Sequence, residues 1–121
     1  MKDARPKLYN PGGARLDAGP WAADFSAAER FGPFRVGALA FYYRAQLKQR
    51  CLPYADFDQV FRRATLCSAR HCGGVSEMNS FSLVFCREGR ELAEAKAIEE
   101  APAAEAFERL RALLPEVKFG L

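Results

Sequence analysis

The residues best suited to chemistry fall in one stretch, "CSARHCGG", Cys67 to Gly74. It holds two of the chain's four cysteines, its only histidine and a glycine pair. Zinc takes thiolate and imidazole ligands, commonly from cysteines two to four residues apart. Cys67 and Cys72 have four residues between them, the long end of that spacing. His71 adjoins Cys72, so a single ion held by both would demand an awkward backbone. A complete set would need Cys51 and Cys86, which are distant in sequence. Cys67, His71 and Cys72 are therefore candidate metal ligands second to a plainer reading: Cys51 and Cys86 as small apolar residues on strands, and Cys67 and Cys72 as thiols in a loop. A thiol nucleophile would need an imidazole within hydrogen-bond reach and a group to orient it. On an extended segment His71 and Cys72 point to opposite faces, which leaves only Cys51 or Cys86 within possible reach of the imidazole. No cofactor is expected, and the chain reads as non-enzymatic.

The charged residues suggest a different chemistry. Arg44, Lys48, Arg50, Arg62, Arg63 and Arg70 cluster in the middle third, interleaved with Tyr42, Tyr43 and Tyr54. Glu99, Glu100, Glu105 and Glu108 gather near the C-terminus. This asymmetry could form one basic face for an anion: a lipid head group, a nucleic acid or an acidic peptide. An ordinary solvated face, with long side chains lying over strands, explains it more simply. The net charge of +3 is mild, which makes nucleic acid an improbable partner. Asp56 and Asp58 would share a strand face, and a solvated strand edge, or pairs with Arg62 and Arg63, suits them better than a cation or acid–base work. Gly73–Gly74 lacks the following Lys-Ser/Thr of a phosphate loop.

The elements that must position these residues follow from composition. A length of 121 residues, half of them hydrophobic, indicates one core. Residues 1–20, rich in Pro and Gly, read as a flexible arm anchored by Tyr9 and Leu16, and 21–121 as the single domain. "WAADFSAAER" spaces Trp21, Phe25 and Ala28 for a short helix that stops at "FGP". "FRVGALAFYYRAQL" is aromatic and β-branched, one or two strands bent at Gly37, followed by a polar connection at Lys48–Arg50. "DFDQVFRRATL" fits period 2 imperfectly and is read as a strand, although Phe57, Val60, Phe61 and Ala64 also suit a helical stripe. "SARHCGGVSEMN" is a polar loop or irregular hairpin. "FSLVFC" is a strand, Glu88–Gly89 a hairpin turn, and "ELAEAKAI" its partner strand against its own helix propensity. In "PAAEAFERLRALLPE", Pro102 stands at a first helical position. Ala106, Phe107, Leu110, Leu113 and Leu114 form one apolar face, and "VKFGL" is an extended tail. Strands followed by a helix indicate an α+β fold, a bent antiparallel sheet or partly open barrel capped by a C-terminal amphipathic helix.

That layout resembles the pleckstrin-homology-like (PH-like) superfold, and more narrowly small PH-like proteins of anaerobic gut Firmicutes. "FGPFRVGALAFYYR" looks like their first strand pair. "CLPYADFDQVFRR" is similar to their "LPY-x-D-aliphatic" strand start, and "LVFCREGRELAE" with the helix and "LPEVKFG" to their last hairpin and exit. The resemblance covers roughly residues 31–120. It implies the fold and no activity. The basic loop through which eukaryotic PH domains bind phosphoinositides has its nearest counterpart around Arg44, Lys48 and Arg50.

No apolar run approaches the roughly 18 residues of a membrane helix, and the N-terminus lacks the apolar core of a signal peptide, so a cytoplasmic chain with reduced thiols is expected. The expected function is a binding module that recognises a protein partner, or a second copy of itself, through a sheet edge. The alternative is an anion-binding regulator using the arginine face, and a zinc- or thiol-dependent enzyme ranks below both. Salt separates the first two, because anion binding weakens with ionic strength and strand pairing barely changes.

Overall fold

The computed structural model describes residues 7–71, 74–97 and 99–120, and along 65–80 it describes the backbone alone. The elements in order are β1 (Leu8–Tyr9), α1 (Ala22–Ala27), β2 (Glu29–Phe31), β3 (Phe34–Val36), β4 (Ala40–Ala45), β5 (Lys48–Pro53), a 3₁₀ turn at Tyr54–Asp56, β6 (Gln59–His71), β7 (Gly74–Arg87), β8 (Arg90–Ala97), α2 (Glu100–Leu113) and β9 (Lys118–Gly120). They form a five-stranded sheet, β1-β5-β4-β3-β2, and a four-stranded sheet, β8-β7-β6-β9.

The fold is α+β with a C-terminal helix, as the sequence indicates, but the strands form two sheets and the helix packs against both. Two expectations are corrected. The sheets are mixed rather than antiparallel, because β1 joins β5 and β9 joins β6 in parallel. They also do not close into a barrel.

The aromatic run Phe34–Tyr43 makes strands because its first sheet is covered on both faces. On one face Phe34, Val36, Phe41, Tyr43 and Leu52 meet Phe57, Val60, Leu83 and Phe85 of the second sheet. Phe41 and Phe85 stand 4.9 Å apart, centroid to centroid, across the gap. On the other face Leu8, Ala40, Tyr42 and Cys51 pack against Leu16, Trp21 and Phe25 of the N-terminal segment and α1. A sheet buried on both faces shows a continuous apolar run instead of alternation. Lys48–Arg50, expected as a polar connection, is the start of β5. The turn is instead Gln46–Leu47, with φ of 53° and 64° at both residues. That left-handed pair matches the twist of a two-residue hairpin, at a cost glycine would avoid.

Two glycines are fixed by close approach. Gly32 turns β2 into β3 at φ 58°, and a Cβ there would lie 2.7 Å from Pro102 of α2. A Cβ on Gly37 would collide with the Asp24 carboxylate. Asp24 is the pin between α1 and the first sheet: its Oδ1 accepts the Ala38 N–H at 2.7 Å and its Oδ2 the Tyr42 hydroxyl at 2.6 Å.

The second sheet is a meander. Glu88–Gly89 forms the hairpin turn between β7 and β8 as expected, with φ of 52° and 79°. "ELAEAKA" is a strand despite its helix-forming residues, because Ala93, Ala95 and Ala97 alternate into the core. The tail expected to be merely extended pairs as β9 with Gln59–Phe61.

The helix starts at Glu100, so Pro102 is its third residue and not its first. Its buried face is Ala103, Ala106, Phe107 and Leu110, spaced i, i+3, i+4 and i+7. Leu113, assigned to that face from the sequence, is 36 % exposed, and Leu114 is half-buried at the C-cap. Arg109 reaches Glu29 of β2 at 3.2 Å, and Arg62 of β6 lies over the Phe107 ring at 5.3 Å. No helix among the described residues is long and apolar enough to cross a membrane.

This helix face can be tested in urea. Leu110→Ala should cost about 2–5 kcal/mol of unfolding free energy, the usual range for a fully buried leucine, and Leu113→Ala about 0.5 kcal/mol. Equal costs would show that α2 is rotated from this position.

Candidate functional site

The geometry brings the sequence's chemical residues to two places, an open ribbon and the mouth between the sheets. The ribbon comes from β6 and β7, which pair continuously from Gln59 opposite Cys86 to His71 opposite Gly74. Their outside partners are short. β9 covers β6 only at Gln59–Phe61, and β8 covers β7 only from Phe81 to Arg87. Beyond Ala64 and Phe81 the two strands run on by themselves for about 23 Å, at about 3.3 Å per residue. Among the described residues the outer edges of Arg62–His71 and Gly74–Ser80 carry no third strand.

This ribbon contains neither proline nor lysine, two of the residues that blunt an edge, although its strands carry the charges of Arg62, Arg63, Arg70 and Glu77. The other edges are charged or short. β8 carries Arg90, Glu91, Glu94 and Lys96, and β1 and β2 are two and three residues long.

The candidate metal ligands belong to this ribbon. Cys67 and His71 lie on β6, opposite Met78 and Gly74, and their side chains are outside the description. Cys72 lies outside the described residues. Among those described, no group of three Cys, His, Asp or Glu side chains is placed to hold a metal. Of the two readings for 68–79, polar loop or irregular hairpin, the described residues favour the second, with Ser68–His71 paired regularly and antiparallel with Gly74–Glu77.

The six basic residues do not share one environment. Arg44 and Lys48 are exposed on the β4–β5 hairpin. Arg62 stacks on Phe107. Arg63 bonds Glu91 at 2.7 Å and approaches Glu94 at 3.6 Å, and the Glu91 hydrogen bond raises its already high pKa. Arg70 is on the ribbon, its side chain undescribed. Of the two readings for Asp56 and Asp58, pairs with Arg62 and Arg63 do not form among the described residues, and both aspartates are exposed. Asp58 instead accepts the Glu88 N–H at 3.1 Å, and its backbone joins β7 to the start of β9.

Arg50 is the exception, because it is buried. Its Nε donates to the Ala45 carbonyl at 3.4 Å, and its Nη1 to the Asn10 and Pro11 carbonyls at 3.1 and 3.2 Å. Its Nη2 donates to Gln46 Oε1 at 3.1 Å. All these acceptors are neutral. A guanidinium thus clamps the N-terminal segment to the turn of β4–β5.

Of the tyrosines expected beside a basic surface, Tyr42 and Tyr43 are buried and Tyr54 is half-buried. Tyr42 donates to Asp24, and Tyr54 donates to the Gly37 carbonyl at 2.6 Å. Burial, reinforced by Asp24, raises both hydroxyls well above their ordinary pKa. Cys51 and Cys86 are buried free thiols. Burial, with Asp24 and Asp56 adding to it, pushes Cys51 up to about 12. Burial first, then Glu91 and Asp58, raises Cys86. Neither environment favours a thiolate at neutral pH. Asp24, Gln46, Glu91 and Glu94 have structural or site roles that no spacing in the sequence announces, since each partner is distant along the chain or across the sheets.

No protein-family model matches the chain, and no curated protein and no solved structure matches it.

A raised thiol pKa has a defined pH signature. Below the ordinary thiol range, folded and unfolded chains both keep the Cys51 proton. Above it only the unfolded chain releases the proton, so the stability from Cys51 is lost as pH rises towards about 12. In a chain with the other three cysteines changed to serine, labelling of Cys51 by a thiol reagent at neutral pH should follow global unfolding. Labelling as fast as a free peptide would contradict this burial.

Proposed function

We propose that the chain is a PH-like, non-enzymatic binding module that recognises an extended protein segment by pairing it with the open edge of the β6–β7 ribbon. Two facing sheets with a C-terminal helix against both support the PH-like reading. The single observation carrying the functional reading is the bare double edge beyond Ala64 and Phe81. A two-stranded ribbon is marginal alone in water, and a third strand satisfies its outward N–H and C=O groups. An added strand gains affinity from main-chain hydrogen bonds and specificity from alternate side chains. The occupant can be a partner's segment or the same ribbon of a second copy.

The test shortens the ribbon. Ala64 and Phe81 are cross-strand partners, so Asn-Gly can join them as a two-residue turn in place of residues 65–80. A random-peptide library panned on both chains should yield extended binders that only the full chain retains, with affinity little changed by high salt. Binders held equally by the shortened, folded chain would overturn the reading. Binders released by salt would move recognition to the arginines.

A further inference from the structure

The mouth between the sheets carries a site independent of the ribbon. Tyr43 and Arg50 are direct cross-strand partners on the face of β4–β5 turned towards the second sheet. They are 3 % and 4 % exposed. Of the five N–H groups of the Arg50 guanidinium, neutral oxygens take four, and the remaining one is on Nη2. Among the described residues no carboxylate lies within ion-pair distance of Arg50. The Tyr42 and Tyr54 hydroxyls are both engaged, whereas that of Tyr43 has no hydrogen-bond partner among the described residues. Burial raises the Tyr43 pKa more than Arg50 lowers it, so its hydroxyl is a donor at neutral pH. Buried charges are ordinarily paired with an opposite charge, so this cation stands out.

Both residues line a cavity of about 320 Å³, within the size range of small-molecule sites. Pro11, Ala45 and Ala93 give it apolar walls, and Leu92 stands at its rim, 41 % exposed, where β8 bulges against β7. Glu91 and Glu94 border it, but the strand register turns their carboxylates outwards with Arg63, onto the outer face of the second sheet. The interior therefore offers one uncompensated cation and one unbonded phenol among apolar groups. The Gln46 side chain that fixes Nη2 belongs to the left-handed Gln46–Leu47 turn, a backbone cost of the kind retained where geometry must be fixed.

We propose that this mouth binds a small organic monocarboxylate, an acid with an aliphatic or aromatic body. One carboxylate oxygen takes the remaining Nη2 N–H of Arg50 and the other takes the Tyr43 hydroxyl. The hydrocarbon part lies against Pro11, Ala45, Ala93 and Leu92. The bound anion supplies Arg50 with a counter-charge, and the two donors match the two oxygens of a carboxylate. A phosphate monoester brings more oxygens and more charge, and it would bury acceptors without partners. A neutral molecule of the same shape leaves the guanidinium uncompensated.

The experiment screens butyrate, hexanoate, octanoate, benzoate and phenylacetate against the full chain by thermal shift, then titrates the best by calorimetry beside its primary amide. At least one acid should bind saturably, with its amide about tenfold weaker or worse, the change expected for losing one charge-assisted contact. Arg50 also holds the N-terminal segment, so the diagnostic variant is Tyr43→Phe. It removes a hydroxyl that bonds nothing in the free protein, so the melting temperature should change little while binding weakens about tenfold. Absence of saturable binding by every acid of the panel overturns the proposal. So does an amide that binds as well as its acid, or a Tyr43→Phe chain that binds unchanged. The shortened-ribbon chain should bind the acid normally, which separates this site from the edge; loss of binding there would assign the acid to the ribbon and overturn the site.

Discussion

Two sheets that share one core without joining by backbone hydrogen bonds must be sealed at both ends by something else. That constraint organises this protein. The apolar gap is filled by Phe41, Leu52, Phe57 and Phe85 at its centre. At one end α2 lowers Ala103, Ala106, Phe107 and Leu110 across both sheets. At the other end no helix is present among the described elements, and the seal is polar. Arg50 gathers three backbone carbonyls and a carboxamide around its guanidinium. The apolar end excludes water by area. The polar end does so only by satisfying donors one at a time, and among the described residues it leaves Arg50 without a counter-charge.

The same economy shapes the long hairpin. Its base belongs to the core, where Val60, Leu83 and Phe85 are fully buried and β8 and β9 flank the pair. Its outer half extends past both flanking strands. One pair of strands therefore stands in two regimes: four-stranded sheet at the root and two-stranded ribbon at the tip. Backbone groups are satisfied on every side in the first and on one side only in the second. Recognition by strand addition needs such a rigid root and open tip.

Local pattern revealed the elements whose causes are local. The helix was legible from its 3.6-residue spacing, and its buried face was right at Ala106, Phe107 and Leu110 but placed one turn too far along the chain, omitting Ala103 and adding Leu113, because only the packing beneath decides where burial ends. Glu88–Gly89 announced its hairpin, and Gly37 marked the break between β3 and β4. Lys48–Arg50 looked like a connection because three polar residues in a row rarely begin a covered strand. The burial of Arg50 depends on carbonyls from residues 10 and 11, which no local pattern shows. The parallel pairings of β1 and β9 are too short to carry a periodic signal and follow from where the chain ends come to rest. Asp24 was invisible for the same reason: its partners lie 14 to 18 residues away. The basic residues, gathered in the middle third of the sequence, were dispersed by the fold, and the adjacent pair was split by alternation, so that Arg62 stacks on the helix and Arg63 pairs with glutamates across the sheet.

The most direct measurement is native-state hydrogen exchange, resolved amide by amide along β6 and β7. The fold requires a step. Amides of Val60, Leu83 and Phe85 should open only with global unfolding, whereas those beyond Ala64 and Phe81 should exchange by local opening, orders of magnitude faster. Protection that stays uniform from Gln59 to His71 would mean the ribbon edges are already covered, and recognition by strand addition there would be contradicted.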